Sequence, residues 1–409
     1  MDDNHPDKWF TIALLSASSL LAMSLWFSAS AVVPQLTAEW RLTRGQQSWL
    51  TMSVQIGFVC GALSSALVNL ADRIDANILF AVSAVVGAAA NAMIALFVTS
   101  IEPALVLRFI TGASLAGVYP PAMKIVSSWT REDRGLGIGL LVGAITVGSG
   151  LPYLLTSFSI FDATGGLPPW PTSLLLASAS ATVGAAVAAL FVKSGPYKIQ
   201  ATTFSWRNAS RALSHRPLRL ANFGYLGHMW ELYAMWAWVP ICIIASYEQA
   251  NLSESAARFA GFLVIAAGGA GSILAGRYAD KLGRTRISIL SLAVSGSCAL
   301  FVGFFFSNPI SLTLVCLLWG FAVVADSAQF SAAVSEISDP HYIGTALTIQ
   351  TCMGFLLTIV SIRIIPPIVD AVGWQWAFVV LVPGPLFGIA SMRKLRREPD
   401  ASKMASGNR

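Results

Sequence analysis

Apolar residues along this chain come in long runs rather than alternating with polar ones. Twelve such runs lie near 10–33, 46–70, 77–97, 103–127, 135–158, 172–192, 218–246, 256–276, 287–306, 310–333, 342–365 and 374–391. A helix needs about 20 mostly apolar residues to cross a bilayer, and each run is close to that length. The pattern predicts an all-α membrane protein with twelve transmembrane helices. Polar residues gather between the runs. Residues 159–171, rich in Gly and Pro, form a long loop, and 193–217 is a polar, basic connector. The predicted layout is a six-helix bundle over 1–192, the connector 193–217, and a second six-helix bundle over 218–409. Within the connector, Trp206 to Leu213 reads either as a short helix on the lipid surface, capped by Ser205, or as part of a solvated link.

The two halves echo each other at an offset of 208 residues. Gly269, Ala270, Ser272, Ala279, Asp280 and Gly320 fall on Gly61, Ala62, Ser64, Ala71, Asp72 and Gly112, and Lys281 falls on Arg73. Self-similarity at half the chain length is the mark of a duplication, so the halves are expected to share one architecture.

Composition agrees with the pattern. Hydrophobic residues make up 55% and charged residues 11%, against about 45–50% and about 25% in soluble domains. The net charge of +6 does not call for nucleic acid, because it follows topology. When the loops are assigned to alternate sides of the twelve runs, twenty Lys and Arg fall on the side of the termini, and Arg41, Arg44 and Arg258 opposite. The positive-inside rule then puts both termini in the cytoplasm and the chain in the cell membrane. The five cysteines all lie in apolar runs and read as buried thiols. Walker A, HExxH, paired CxxC and GxSxG motifs are absent from the sequence. No enzyme, cofactor or metal site is therefore expected.

A basic, glycine-punctuated turn, Gly276-Arg-Tyr-Ala-Asp280-Lys-Leu-Gly283-Arg284, lies between the eighth and ninth runs. Asp280 can accept from Arg284, from Arg286 or from amides at a neighbouring helix end. Gly276 permits close helix contact, and Gly283 a turn with positive φ.

Together these features resemble the major facilitator superfamily along essentially the whole chain. The turn matches that family's G-x-x-x-D-[RK]-x-G-[RK] motif at Gly276, Asp280, Lys281, Gly283 and Arg284. The first copy keeps Asp72 and Arg73 but has Val68, Asp75 and Ala76 at the other positions. Arg108-x-x-x-Gly112 is similar to a pattern linked to proton coupling. The antiporter motif of the fifth helix is not reproduced. There is a looser likeness to the nitrate/nitrite and cyanate porter branch, without the arginine expected in the second helix. The resemblance implies two six-helix bundles, a cavity lined by helices 1, 4, 7 and 10, and gating by the two turns, at Asp72 and Arg73 and at Gly276 to Arg284.

Ionisable residues deep in a membrane cost about 2.5–3.5 kcal/mol each on insertion scales and are functional candidates by default. Glu231 lies about 18 Å along the seventh helix, with His228 three residues earlier on the same face. The stripe 228, 231, 235 and 238 reads as a cavity wall, or as a Glu–His pair that only ties helices together. Asp326 in the tenth run is the other deep carboxylate: a proton carrier, a substrate ligand or a static partner. Arg108 offers a positive element. Trp26, Tyr119, Trp230, Tyr233 and Trp238 are candidate aromatic walls. The reading is a secondary active transporter of a small solute, working as a monomer by alternating access. Glu231, Asp326 or both are the candidates for coupling it to protons, with Arg108 and His228 in the same transport group, and symport of a small anion is favoured. The alternatives are a proton-driven exporter of amphipathic compounds and a membrane receptor that does not transport.

Overall fold

The computed structural model describes residues 5–130, 133–157, 167–197, 204, 210–339 and 343–408. Eleven helices in it are long and apolar enough to cross a membrane. These are α2 (Arg44–Leu67), α3 (Ala76–Phe97), α4 (Ile101–Trp129), α5 (Arg134–Leu155), α6 (Trp170–Phe191), α7 (Arg216–Gln249), α8 (Glu254–Leu282), α9 (Arg284–Phe305), α10 (Pro309–Ile337), α11 (Ile343–Val372) and α12 (Trp374–Leu395). The first run departs from expectation. Its helix α1 (Lys8–Met23) has 16 residues, and the backbone breaks before resuming as Ser28–Ala31 and Val33–Trp40. In the connector, residues 198–203 and 205–209, Trp206 among them, lie outside the described residues, and Arg211–Ser214 forms a short helix.

Local chemistry sets the ends. Thr43 and Gln46 close a reciprocal capping box at the start of α2. Ser253 and Asn308 accept from backbone amides at the starts of α8 and α10. Gly283, at φ +94°, ends α8 in a conformation that side chains resist.

Two helices break in mid-membrane. In α4, Ile101–Leu115 and Tyr119–Trp129 are separated by Ala116 to Val118, just ahead of Pro120 and Pro121. In α10, Pro309–Ala325 and Ser327–Ile337 meet at Asp326. Under the 208-residue offset Asp326 falls on Val118, so both halves break at the same place.

In the first half α2 packs on α4, α3 on α6, and α1 on α5 and α6. In the second, α8 packs on α10, α7 on α11 and α12, and α9 on α10 and α12. The most extensive contacts between the halves are α5 with α8 and α2 with α11. Lipid contributes little drive to helix association, so backbones must come close for packing to hold them. Gly135 and Gly276 show this: a Cβ on Gly276 would sit 2.5 Å from the Gly135 carbonyl oxygen. Large apolar side chains such as Phe97, Leu190 and Ile310 point outward, as lipid requires. The face carrying both termini is called the terminal face below, and its opposite the far face.

Candidate functional site

A cavity of about 80 Å³ lies between the halves. One water needs about 10–15 Å³ on this measure, so the space suits several waters or one small ring. Its walls come from the segment after α1 and from α2, α4, α5, α7, α10 and α11. Of the aromatic candidates, Trp26, Tyr119 and Tyr233 line it, joined by Phe58, Tyr225 and Phe355. Ser327, Ser331 and Thr351, towards the terminal face, stay half-buried.

Towards the far face the cavity is sealed by rings from both halves. Trp26 lies 5.2 Å from Phe58, 5.6 Å from Tyr233 and 5.5 Å from Phe355, and Phe58 lies 4.5 Å from Phe355. Phe27 meets Trp236 at 6.0 Å. These separations fall in the range favoured by edge-to-face and offset pairs.

His228 lines this cavity. Its Nδ1 lies 2.9 Å from Asp326 Oδ1, and both side chains are 1% exposed. The contact has ion-pair distance without hydrogen-bond alignment, and neither Asp326 oxygen has an aligned donor. On its other side His228 Nε2 is 2.8 Å from Ser327 Oγ. The break in α10 brings Asp326 and Ser327 to opposite nitrogens of one imidazole.

Glu231 is fully buried but turned away from the cavity. Its Oε1 accepts from Trp319 Nε1 at 2.6 Å and its Oε2 from Ser295 Oγ at 2.9 Å, on α10 and α9. Trp230 and Trp238 are also absent from the cavity lining. Their indoles donate to Val380 and Ile362 carbonyls at 3.1 and 3.0 Å. The α7 face that lines the cavity runs through Tyr225, His228, Met229, Leu232, Tyr233 and Trp236.

Arg108 is another departure. It is completely buried but does not line the cavity. It donates to the carbonyls of Leu25 at 2.9 Å, Leu50 at 3.3 Å and Trp26, and to Ser28 Oγ at 3.0 Å. The break after α1 frees carbonyls that a continuous helix would occupy, and Arg108 takes them up. It thereby fixes the segment carrying Trp26 and Phe27.

At the terminal face the basic turn forms a cluster. Arg284 contacts Asp280 at 3.0 Å, Glu336 at 2.6 and 2.8 Å, and Gln329 at 3.0 Å. Asp280 Oδ2 would meet a Cβ on Gly135 at 2.7 Å, so its carboxylate lies against the first turn of α5. The sequence could not supply Glu336 and Gln329, which arrive from α10. Residues 399–407 underlie this cluster: Ala405 N donates to Glu336 at 3.1 Å, and Asn408 Nδ2 to the Asp280 carbonyl at 2.9 Å. Lys281 carries no resolved partner in the cluster, and Arg73 is exposed in the short helix Leu70–Arg73. The Asp72 side chain lies outside the described residues.

Comparison with known proteins agrees with this geometry. The chain is 26% identical over 319 residues to the putative niacin/nicotinamide transporter NiaP of Bacillus subtilis, covering 75% of this chain and 76% of that one. Over 177 residues it is 27% identical to the 4-hydroxybenzoate transporter PcaK of Pseudomonas aeruginosa, covering 41% and 37%. Among solved structures, a bacterial homologue of the human lysosomal transporter Spinster, inward-facing and unoccupied, superposes with a TM-score of 0.71. That match covers 97% of this chain and 100% of the other at 14% identity, a likeness of fold. The family model for the Major Facilitator Superfamily matches residues 14–362 and again 221–409. With eleven membrane-length helices and the shorter α1 among the described residues, and a family model matching nearly the whole chain, the chain belongs to the major facilitator superfamily and is a membrane transporter of that family.

Proposed function

We propose that this transporter carries a small aromatic monocarboxylate together with a proton, and that His228 and Asp326 couple the two. The carrying observation is the pair itself, in the wall of an aromatic cavity. Niacin and 4-hydroxybenzoate, named for the relatives, are each a single ring bearing one carboxylate. Trp26, Phe58 and Tyr233 offer faces for such a ring, and His228 is the basic side chain among the cavity-lining residues.

Coupling follows from charge. With Asp326 ionised and His228 neutral, the site carries one negative charge and repels a carboxylate. A proton taken up by the pair cancels that repulsion, so anion and proton enter together. In a dry site an uncompensated charge is expensive, which makes each ligand depend on the other. The charge pattern of the loops supports placing both termini in the cytoplasm.

The test is uptake of labelled nicotinate and 4-hydroxybenzoate into proteoliposomes under an inside-alkaline pH gradient. Wild type should accumulate at least one of the two acids. Asp326→Asn should lose accumulation yet keep exchange of labelled for unlabelled acid. If neither acid enters, the substrate class is wrong. If the gradient drives substrate in the direction opposite to protons, the protein is an exporter.

A further inference from the structure

We propose that Arg258 is a gating residue of transport, a clasp that holds the far face shut by reaching from one half to the other. Arg258 lies near the start of α8 and is fully buried. Its Nε and Nη2 donate to Glu254 Oε1 at 3.1 and 2.7 Å, a contact within α8 that is indifferent to how the halves sit. Its Nη1 donates to the carbonyl of Ala31 at 2.7 Å. That bond crosses from the second half to the segment after the break in the first.

The bond stands on the far side of the aromatic seal. Next to it Ser255 Oγ donates to the carbonyl of Ser157 at the end of α5, a second crossing. An ion pair also crosses between the halves on this face, Arg44 with Asp370, whose side chains are 51% and 54% exposed. Solvent-exposed pairs contribute little. The buried, charge-assisted bond of Arg258 is the stronger constraint. It exists only while Ala31 and α8 are adjacent, so opening a path to the cavity from the far face must break it. Water can then solvate the guanidinium, because Glu254 beside it is already 47% exposed. The clasp is therefore firm when dry and readily undone when wet.

This inference does not depend on which solute is carried, and its test needs none. In nanodiscs, where both faces are reachable, a cysteine is placed at Ser157, which is 5% exposed. Cys60, the exposed native thiol, is replaced by serine. The rate of reaction with a membrane-impermeant maleimide then reports opening of the far face. Arg258→Gln should react about tenfold faster than the parent, equivalent to about 1.4 kcal/mol. Glu254→Gln, which leaves the Ala31 bond in place, should stay near the parent rate. Arg258→Lys keeps the charge with a less suitable donor and should fall between. A parent-like rate in folded Arg258→Gln overturns the proposal, as does a Glu254→Gln rate equal to it. If Arg258→Gln does not fold, spin labels at Arg41 and Glu248 in Arg258→Lys give an independent reading. The population at long separation should grow, and an unchanged distribution overturns the clasp.

Discussion

At the scale of the residue, the deep carboxylates separate by what they touch. Both oxygens of Glu231 are occupied by donors from α9 and α10, whereas Asp326 faces a histidine of the cavity wall. Glu231→Gln should therefore keep pH-driven accumulation while lowering the thermal midpoint of the purified protein by several degrees. Loss of accumulation with unchanged stability would return the carrier role to Glu231. The depth of these groups was legible in the sequence, but their direction was not. Residues advance about 100° around a helix, so Glu231 and Leu232 flank His228 on opposite sides, and hydropathy does not say which side holds the cavity. The surroundings of Arg108 were hidden for another reason. Ser24 to Phe27 is apolar enough to read as continuous helix, so the freed carbonyls were invisible. Arg108→Leu removes these charge-assisted bonds, at about 1.5–3 kcal/mol each, and leaves the Leu25 carbonyl only its bond from Ser28 Oγ. The variant should lose thermal stability in detergent more severely than Glu231→Gln.

At the scale of the element, the turn after α8 reads well from sequence and its partners do not. Asp280 with Arg284 and the positive φ of Gly283 are local and were expected; that Gly276 admits a close neighbour was legible too, but not that Gly135 of α5 is that neighbour. Glu336 and Gln329 come from the half-helix Ser327–Ile337, which also carries cavity residues Ser327 and Ser331. That half-helix joins the cavity to the cluster at the terminal face. The Glu336 side chain is 26% exposed and makes two bonds to Arg284, against one from Asp280 at 40% exposed. Buried charge-assisted bonds exceed exposed ones, which contribute about 0.2–1 kcal/mol. Glu336→Gln should therefore change the transport rate more than Asp280→Asn, with substrate affinity within a few-fold in both. Equal effects would mean that the pair within the turn carries the latch. Gly276→Val should hinder the approach of α5 and α8, since a Cβ there already meets backbone. A fall in both thermal midpoint and transport is expected, whereas unaltered behaviour would show that the helices have room to part.

At the scale of the whole molecule, the sequence disclosed the two-half plan and the twelve segments, because long apolar runs and a repeat are properties of the chain itself. How the halves meet was hidden, since α5 with α8 and α2 with α11 are contacts between distant residues. Orientation rests on charge: a reporter fused after Arg397 should be active in the cytoplasm, and activity on the outside would reverse the assignment. The matching breaks in α4 and α10 bear on ancestry. In one half the bend ends at Val118 and prolines follow it, while in the other Asp326 stands at the bend itself, in the place of Val118. If both halves descend from one parent, the bend is older than the duplication, and the two copies have since come to place different chemistry at one inherited joint.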